Sequence, residues 1–230
     1  MLQSSREPEV SRLESPTLCY VAPFAAFIGV MALERVLGIP PVAGYSLRLA
    51  VTILTLALFS RKCISLRPSL PVMSIGIGAA VFVIWVGPDL LFHYRHSWLF
   101  ENSLTGTSAS WISPDLRNPA AVALRAAGSA LVVPVIEELF WRGWLMRWLI
   151  DQRFLKIPLG TYRPLAFWMT AILFASEHGS YWEVGLAAGV VYNWWLIRTK
   201  NLADCILAHA VTNAILACYV VAAGKWEYWL

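Results

Sequence analysis

The chain has 230 residues, of which 58% are hydrophobic and only 14% charged, with a net charge of +4. A soluble domain carries about 25% charged residues, so the composition excludes a soluble enzyme and points to an integral membrane protein. Long apolar runs, rather than short alternating ones, make it helical, and the absence of a dense basic run excludes nucleic acid as a partner.

In chain order, residues 1–16 form a polar segment. The apolar run after them has no small-residue cleavage site and reads as a retained first span, not a signal peptide. Seven helical spans are predicted, at 17–38, 42–60, 70–92, 119–149, 164–181, 183–198 and 202–223; a crossing needs about 20 residues. Pro40 and Pro41, Pro68, Pro119 and Pro164 punctuate their boundaries, as helix starts and stops should. The second and sixth spans are short, and the fourth is long enough to tilt. A polar connection at 93–118, with Trp98 and Trp111, reads as a lid or an exposed loop. The fold class is all-α, a polytopic transmembrane helical bundle of about seven spans. Twelve tryptophans and eight tyrosines suit a chain with two lipid–water interfaces.

Charge sets an expected orientation. With the amino terminus in the cytoplasm, eleven lysines and arginines fall inside, among them Arg61, Lys62, Arg147, Arg163 and Lys200. Five fall outside: Arg35, Arg48, Arg95, Arg117 and Lys225. That asymmetry follows the positive-inside rule and puts Leu230 outside. Cys19, Cys63, Cys205 and Cys218 form no CxxC pair and read as small core residues rather than a disulfide or metal site.

The informative residues are those that lipid should reject. An ionisable group at mid-membrane costs about 2.5–3.5 kcal/mol and is a functional candidate by default. The second half carries Glu137, Glu138 and Arg142 on the fourth span, Glu177 and His178 on the fifth, and Asp204, His209 and Asn213 on the seventh. Glu138 and Arg142, spaced i, i+4, share a face and can neutralise each other. Glu137 points about 100° away and is free to face something else. At about 1.5 Å per residue from the cytoplasmic ends, Glu137 lies about 18 Å deep, His178 about 21 Å, Asn213 about 17 Å and His209 about 11 Å. Similar heights on three helices argue for one site. Taken singly, each has a plainer reading: both glutamates in one charge network with Arg142, His209 and Asn213 as interhelical hydrogen-bonding groups, His178 as a helix cap.

Together these groups have two chemistries open to them. A buried carboxylate beside a histidine can deprotonate water, while a second histidine and an amide donate to a developing oxyanion. Equally, Glu137, His178 and His209 can ligate zinc, with water in the fourth position. Both routes hydrolyse a carbonyl compound, a peptide bond above all. No serine or cysteine nucleophile, GxSxG or phosphate-binding loop is visible.

"EELFWR" at 137–142 fits EExxxR, "FASEH" at 174–178 fits FxxxH, and "HAVTN" at 209–213 fits HxxxN. In order and spacing these resemble the CAAX protease and bacteriocin-processing family of intramembrane endopeptidases, over about 119–223. The resemblance implies Glu137 as the base that activates water, assisted by His178, with His209 and Asn213 as the oxyanion site and Glu138, Arg142 and Phe174 in support. It divides the chain into amino-terminal helices with an outer loop (17–118), a catalytic core (119–223) and a tail (224–230). "HAVTNAILACYVVAAGKWEYW" also resembles the bacterial members that accompany exosortase sorting systems, implying a bacterial inner membrane. The implied partners are the bilayer and a membrane protein or lipidated peptide as substrate. Zinc on Glu137, His178 and His209 would leave no carboxylate as base, since Glu138 is committed to Arg142 and zincins keep a separate glutamate. No cofactor is therefore favoured, and zinc stands as the alternative. The competing functions are a non-catalytic scaffold or immunity protein and a small proton-coupled transporter; no internal inverted repeat supports transport.

Overall fold

A computed structural model describes residues 16–95, 97–100 and 117–229. The expectations for residues 1–15, for the 101–116 part of the long connection with Trp111, and for Leu230 fall outside the described residues. Seven helices are present: α1 (Pro16–Leu37), α2 (Pro41–Ser60), α3 (Pro71–Phe92), α4 (Pro119–Trp148), α5 (Pro164–Ser176), α6 (Trp182–Thr199) and α7 (Leu202–Ala223). Among the described residues there is no strand. The chain is an all-α polytopic membrane bundle.

The starts are written in the sequence. Five helices open on proline, whose fixed φ suits the first helical position and whose missing N–H is not needed there. Asn118 and Asn201 cap α4 and α7 by accepting from the backbone N–H of Ala120 and Ala203, each at 2.9 Å. α1, α2, α3, α4 and α7 are long and apolar enough to cross a membrane. α5 is shorter than the predicted 164–181 segment. It stops at Ser176, and Gly179 just beyond takes a left-handed φ of 54° that ends a right-handed helix. Glu177 and His178 thus sit in the turn to α6, not on a helix.

α3 and α7 pack side by side in parallel. At their amino-terminal ends the Asp204 carboxylate accepts from Ser69 Oγ (2.5 Å), Leu70 N (2.9 Å) and Ser74 Oγ (3.2 Å). Further along, Thr212 Oγ1 donates to the Gly78 carbonyl at 2.8 Å. Gly78 is required there: a Cβ would fall 2.3 Å from the Ala208 carbonyl oxygen. Small residues at helix crossings let backbones approach where no hydrophobic force separates protein from lipid.

α1 and α2 are joined differently. Cys19 and Cys63, expected as unpaired core residues, are paired as a disulfide with Cα atoms 6.3 Å apart; two residues distant in sequence meet because α1 and α2 form a hairpin. At the hairpin's other end Arg48 pairs with Glu34. The bundle therefore has two distinct ends. One gathers Cys19, Cys63, Arg67, Arg147 and Asn201, whose Nδ2 donates to the Arg67 carbonyl. The other gathers Glu34, Arg48, Asp89, Arg95 and the carboxy-terminal turn Trp226–Trp229, with Tyr228 Oη donating to Asp89.

Candidate active site

α4 carries the glutamates on an irregular stretch. A π turn at Gly128–Val132 precedes them and a second at Leu139–Leu145 follows, leaving Val133–Glu138 α-helical between the two. Pro134, which has no N–H to give, follows the first wide turn. Such π turns gather at functional sites.

Glu138 and Arg142 are fully buried and paired at 3.2 Å. The arginine is held further by Asn193 Oδ1, which accepts from Nε at 2.9 Å, and by the Gly189 carbonyl, which accepts from Nη2 at 3.3 Å. Its guanidinium lies 4.3 Å over the Phe174 ring. Glu138 does more than neutralise Arg142: the same oxygen accepts from His209 Nδ1 at 2.9 Å. A carboxylate that bridges two donors on different helices is invisible to i, i+4 counting.

That bond fixes the tautomer of His209. An ionised carboxylate only accepts, so Nδ1 carries the proton and Nε2 is left for the cavity, 4.0 Å from Glu137 Oε2. Tyr192 stacks on the ring at 5.1 Å, and its hydroxyl donates to Thr212 at 2.8 Å. His178 is held in the same way by another partner: Nδ1 donates to the Phe174 carbonyl at 2.7 Å, leaving Nε2 unengaged. Its ring sits between Phe174 at 4.7 Å and Trp85 at 5.2 Å. α6 passes so close that a Cβ on Gly185 would come 3.1 Å from that ring. Asn213 Nδ2 donates to the Ser129 carbonyl at 2.8 Å, tying α7 to the first π turn.

Glu137, Phe174, His178, His209 and Asn213 line one cavity of about 190 Å³. Glu138 and Arg142 stand behind it. Glu137 Oε2 is buried with no hydrogen-bond partner, an acceptor available to a small molecule in the cavity. Among the described residues, no three of His, Cys, Asp and Glu are grouped as a metal ion requires. The two histidines offer Nε2 as metal ligands do.

Residues 119–215 match the family of type II CAAX prenyl endopeptidase Rce1-like proteins. No curated protein and no solved structure matches the chain. The Rce1-like segment covers the three motif stretches and less than half of the chain, and with five membrane-length helices it supports an intramembrane endopeptidase of the CAAX-protease type. It leaves the exosortase-associated subgroup untouched.

The surroundings of the cavity also contain residues that sequence reasoning passed over. Asn193 braces Arg142 while its Nδ2 donates to the Phe167 carbonyl at 2.8 Å. Its only signal was an amide in an apolar span. Tyr192, Ser129 and Trp85 gave none. Glu177, noted for its charge, accepts from Trp141 Nε1 at 2.9 Å and faces a second, larger cavity beside the first.

Proposed function

We propose that the chain hydrolyses a peptide bond of a membrane-associated protein or peptide, with Glu137 activating the water. The observation that carries this reading is the pairing of an unpartnered, buried carboxylate oxygen on Glu137 with two histidines whose Nδ1 atoms are already engaged. A water in the cavity donates one hydrogen to Glu137 and the other to an Nε2, which aims its lone pair at a carbonyl carbon. As the C–O bond forms, the proton passes to Glu137. The carbonyl oxygen, now negative, takes a hydrogen bond from the second N–H of Asn213. Collapse breaks the C–N bond, and Glu137 returns the proton to the leaving amine. Glu138 acts through others: it holds His209 and neutralises Arg142.

The reaction needs no metal in this scheme. Zinc on Glu137, His178 and His209 would take the one carboxylate that lines the cavity among the described residues. The excess of basic residues at the Arg67 end supports a cytoplasmic position for it, in this reading at a bacterial inner membrane. The cavity, lined by Tyr228 and Trp229 as well as the catalytic set, then extends towards the outer face.

The test compares membrane peptides from cells carrying the wild type and Glu137→Gln, which keeps size and hydrogen bonding but removes the base. Peptides released by the wild type should fall by about 10²–10⁴ in rate, the range for a general base. Activity of the purified protein should persist through exhaustive chelation. An unchanged peptide profile together with an intact cellular function would leave a scaffold, and activity restored by zinc after chelation would make the site metallic.

A further inference from the structure

The larger cavity beside the catalytic one, about 660 Å³, is walled mainly by α1, α2 and α4. Its lining changes character along its length. On α1, Arg35, Met31 and Phe27 follow one another at four-residue steps and so share a face. On α4, Arg125 is followed inward by Ser129 and Val133 at the same spacing, and α2 adds Arg48 and Leu49. The cations thus stand at the Glu34–Arg48 end of the bundle. From them about 12 Å of mainly apolar wall runs towards the interior.

Glu34 answers one of these three charges, through Arg48. Arg35 is exposed, and among the described residues no carboxylate pairs with it. Arg125 has neutral partners: Nη1 donates to Tyr45 Oη at 3.0 Å and Nη2 to the Trp229 carbonyl. Tyr45 also carries the Arg48 guanidinium over its ring, 5.3 Å from the centroid, so one side chain holds two of the arginines at the mouth. The carboxylate in the lining, Glu177, accepts from Trp141 Nε1 at 2.9 Å, and Trp141 lies about 24 Å along α4 from Arg125. Two guanidinium charges are therefore left facing a cavity whose inner wall is largely apolar.

Guanidinium groups bind phosphate through paired, charge-assisted hydrogen bonds, and basic pockets between membrane helices recognise anionic headgroups. We propose that one anionic phospholipid seats here, its phosphate between Arg35 and Arg125 and an acyl chain against Met31, Phe27 and Leu49. A soluble anion would gain nothing from the apolar wall. A zwitterionic lipid would bring a cation to a mouth that already has two in excess. The larger cavity shares Arg125, Ser129, Val133 and Trp229 with the catalytic one, so the bound lipid borders the catalytic cavity. Its binding does not depend on the reaction proposed next to it.

The experiment titrates the purified, delipidated full chain in detergent with dioleoyl phosphatidylglycerol or dioleoyl phosphatidylcholine, and native mass spectrometry counts the lipids bound. The wild type should hold one phosphatidylglycerol about tenfold or more tighter than phosphatidylcholine, the range of a charge-assisted hydrogen bond. Arg35→Gln should lose most of that preference with an unchanged melting temperature, because Arg35 is exposed. Arg117→Gln should keep the preference: Arg117 lies over the Trp226 ring, outside the cavity lining. Met31→Trp narrows the trough, spares the arginines and should lose the bound phosphatidylglycerol. Equal affinity of the wild type for the two lipids would overturn the assignment. So would equal losses from Arg35→Gln and Arg117→Gln, the mark of diffuse surface charge. Undiminished binding in Met31→Trp would put the acyl chain outside the cavity and refute the site. Glycerol 3-phosphate displacing the lipid at equal concentration would refute it too, since the headgroup alone would then be what binds. Should Met31→Trp not fold, the Arg35 and Arg117 arms decide alone.

Discussion

The two halves of the bundle are held by opposite means. α1 and α2 are fastened at their tips, by Cys19–Cys63 at one end and Glu34–Arg48 at the other, and between the tips Phe27, Met31 and Leu49 border the larger cavity. α3 to α7 are fastened along their length by hydrogen bonds that Asp204 accepts and that Thr212, Asn193 and Arg142 donate. Of the membrane-length helices α1 is the least buried and α7 the most. In lipid an apolar side chain gains little by choosing protein over acyl chains. Position is then fixed by polar contacts and close backbone crossings, and the half that has them holds the site.

Breaking the charge network in the second half should have the largest structural effect. Glu138→Gln leaves Arg142 buried without its counter-charge, at a cost of about 3–5 kcal/mol, read as lost folded protein in detergent melts. Glu138→Gln with Arg142→Met should recover folded protein. Activity should stay low in the double variant, because His209 loses the ionised partner that sets its tautomer. A double variant less stable than either single one would show that the pair is not what holds these helices.

Gly78→Ala forces α3 from α7 and should cost about 1–3 kcal/mol as an overpacked contact. The same change at Gly76, which meets nothing within 4 Å, should be close to neutral, and equal losses at both sites would contradict the tight crossing. In the first half Glu34→Gln should cost no more than about 1 kcal/mol, as pairs near a surface do. A larger loss would mean the tips of α1 and α2 are as firmly built as the catalytic half.

The smallest perturbation sharpens which way the two regions face. Single-cysteine labelling at Ser65 and Lys225 should occur from opposite sides, with Ser65 cytoplasmic. Denatured native protein should titrate two free thiols, Cys205 and Cys218; four would show that the α1–α2 hairpin is not cross-linked. A disulfide at the Ser65 end is what an oxidising compartment favours, whereas the positive-inside rule favours a cytoplasmic one, and the labelling decides between them.

Most of the architecture could be read from the sequence because proline marks five of the helix starts and membrane-length apolar runs need no tertiary information. The motif residues were legible too: charge in lipid advertises itself, and depth counting put Glu137, His178, His209 and Asn213 at similar heights before any coordinates. The rest depended on contacts between helices. Glu138 serves both Arg142 and His209 because α7 crosses behind α4, and no spacing within α4 records that. The π turns at 128–132 and 139–145 have no period of their own, and the Cys19–Cys63 pair exists only once α1 and α2 fold back on each other. The fifth segment was drawn to 181 because its apolar character continues; one glycine with φ of 54° decided otherwise.

That early stop of α5 has a consequence for the solvent rather than the protein. Thirteen helical residues rise about 20 Å, well short of a hydrocarbon core of about 30 Å. The turn that follows, with Glu177, His178 and Ser180, satisfies its backbone through short turns and through Arg95, which donates to the Ser180 carbonyl at 3.1 Å. A membrane meeting so short a helix thins or admits polar molecules locally. Hydrolysis, the proposed reaction, consumes one water per bond cut, and a bilayer drawn thin at this helix brings that second reactant closer to His178.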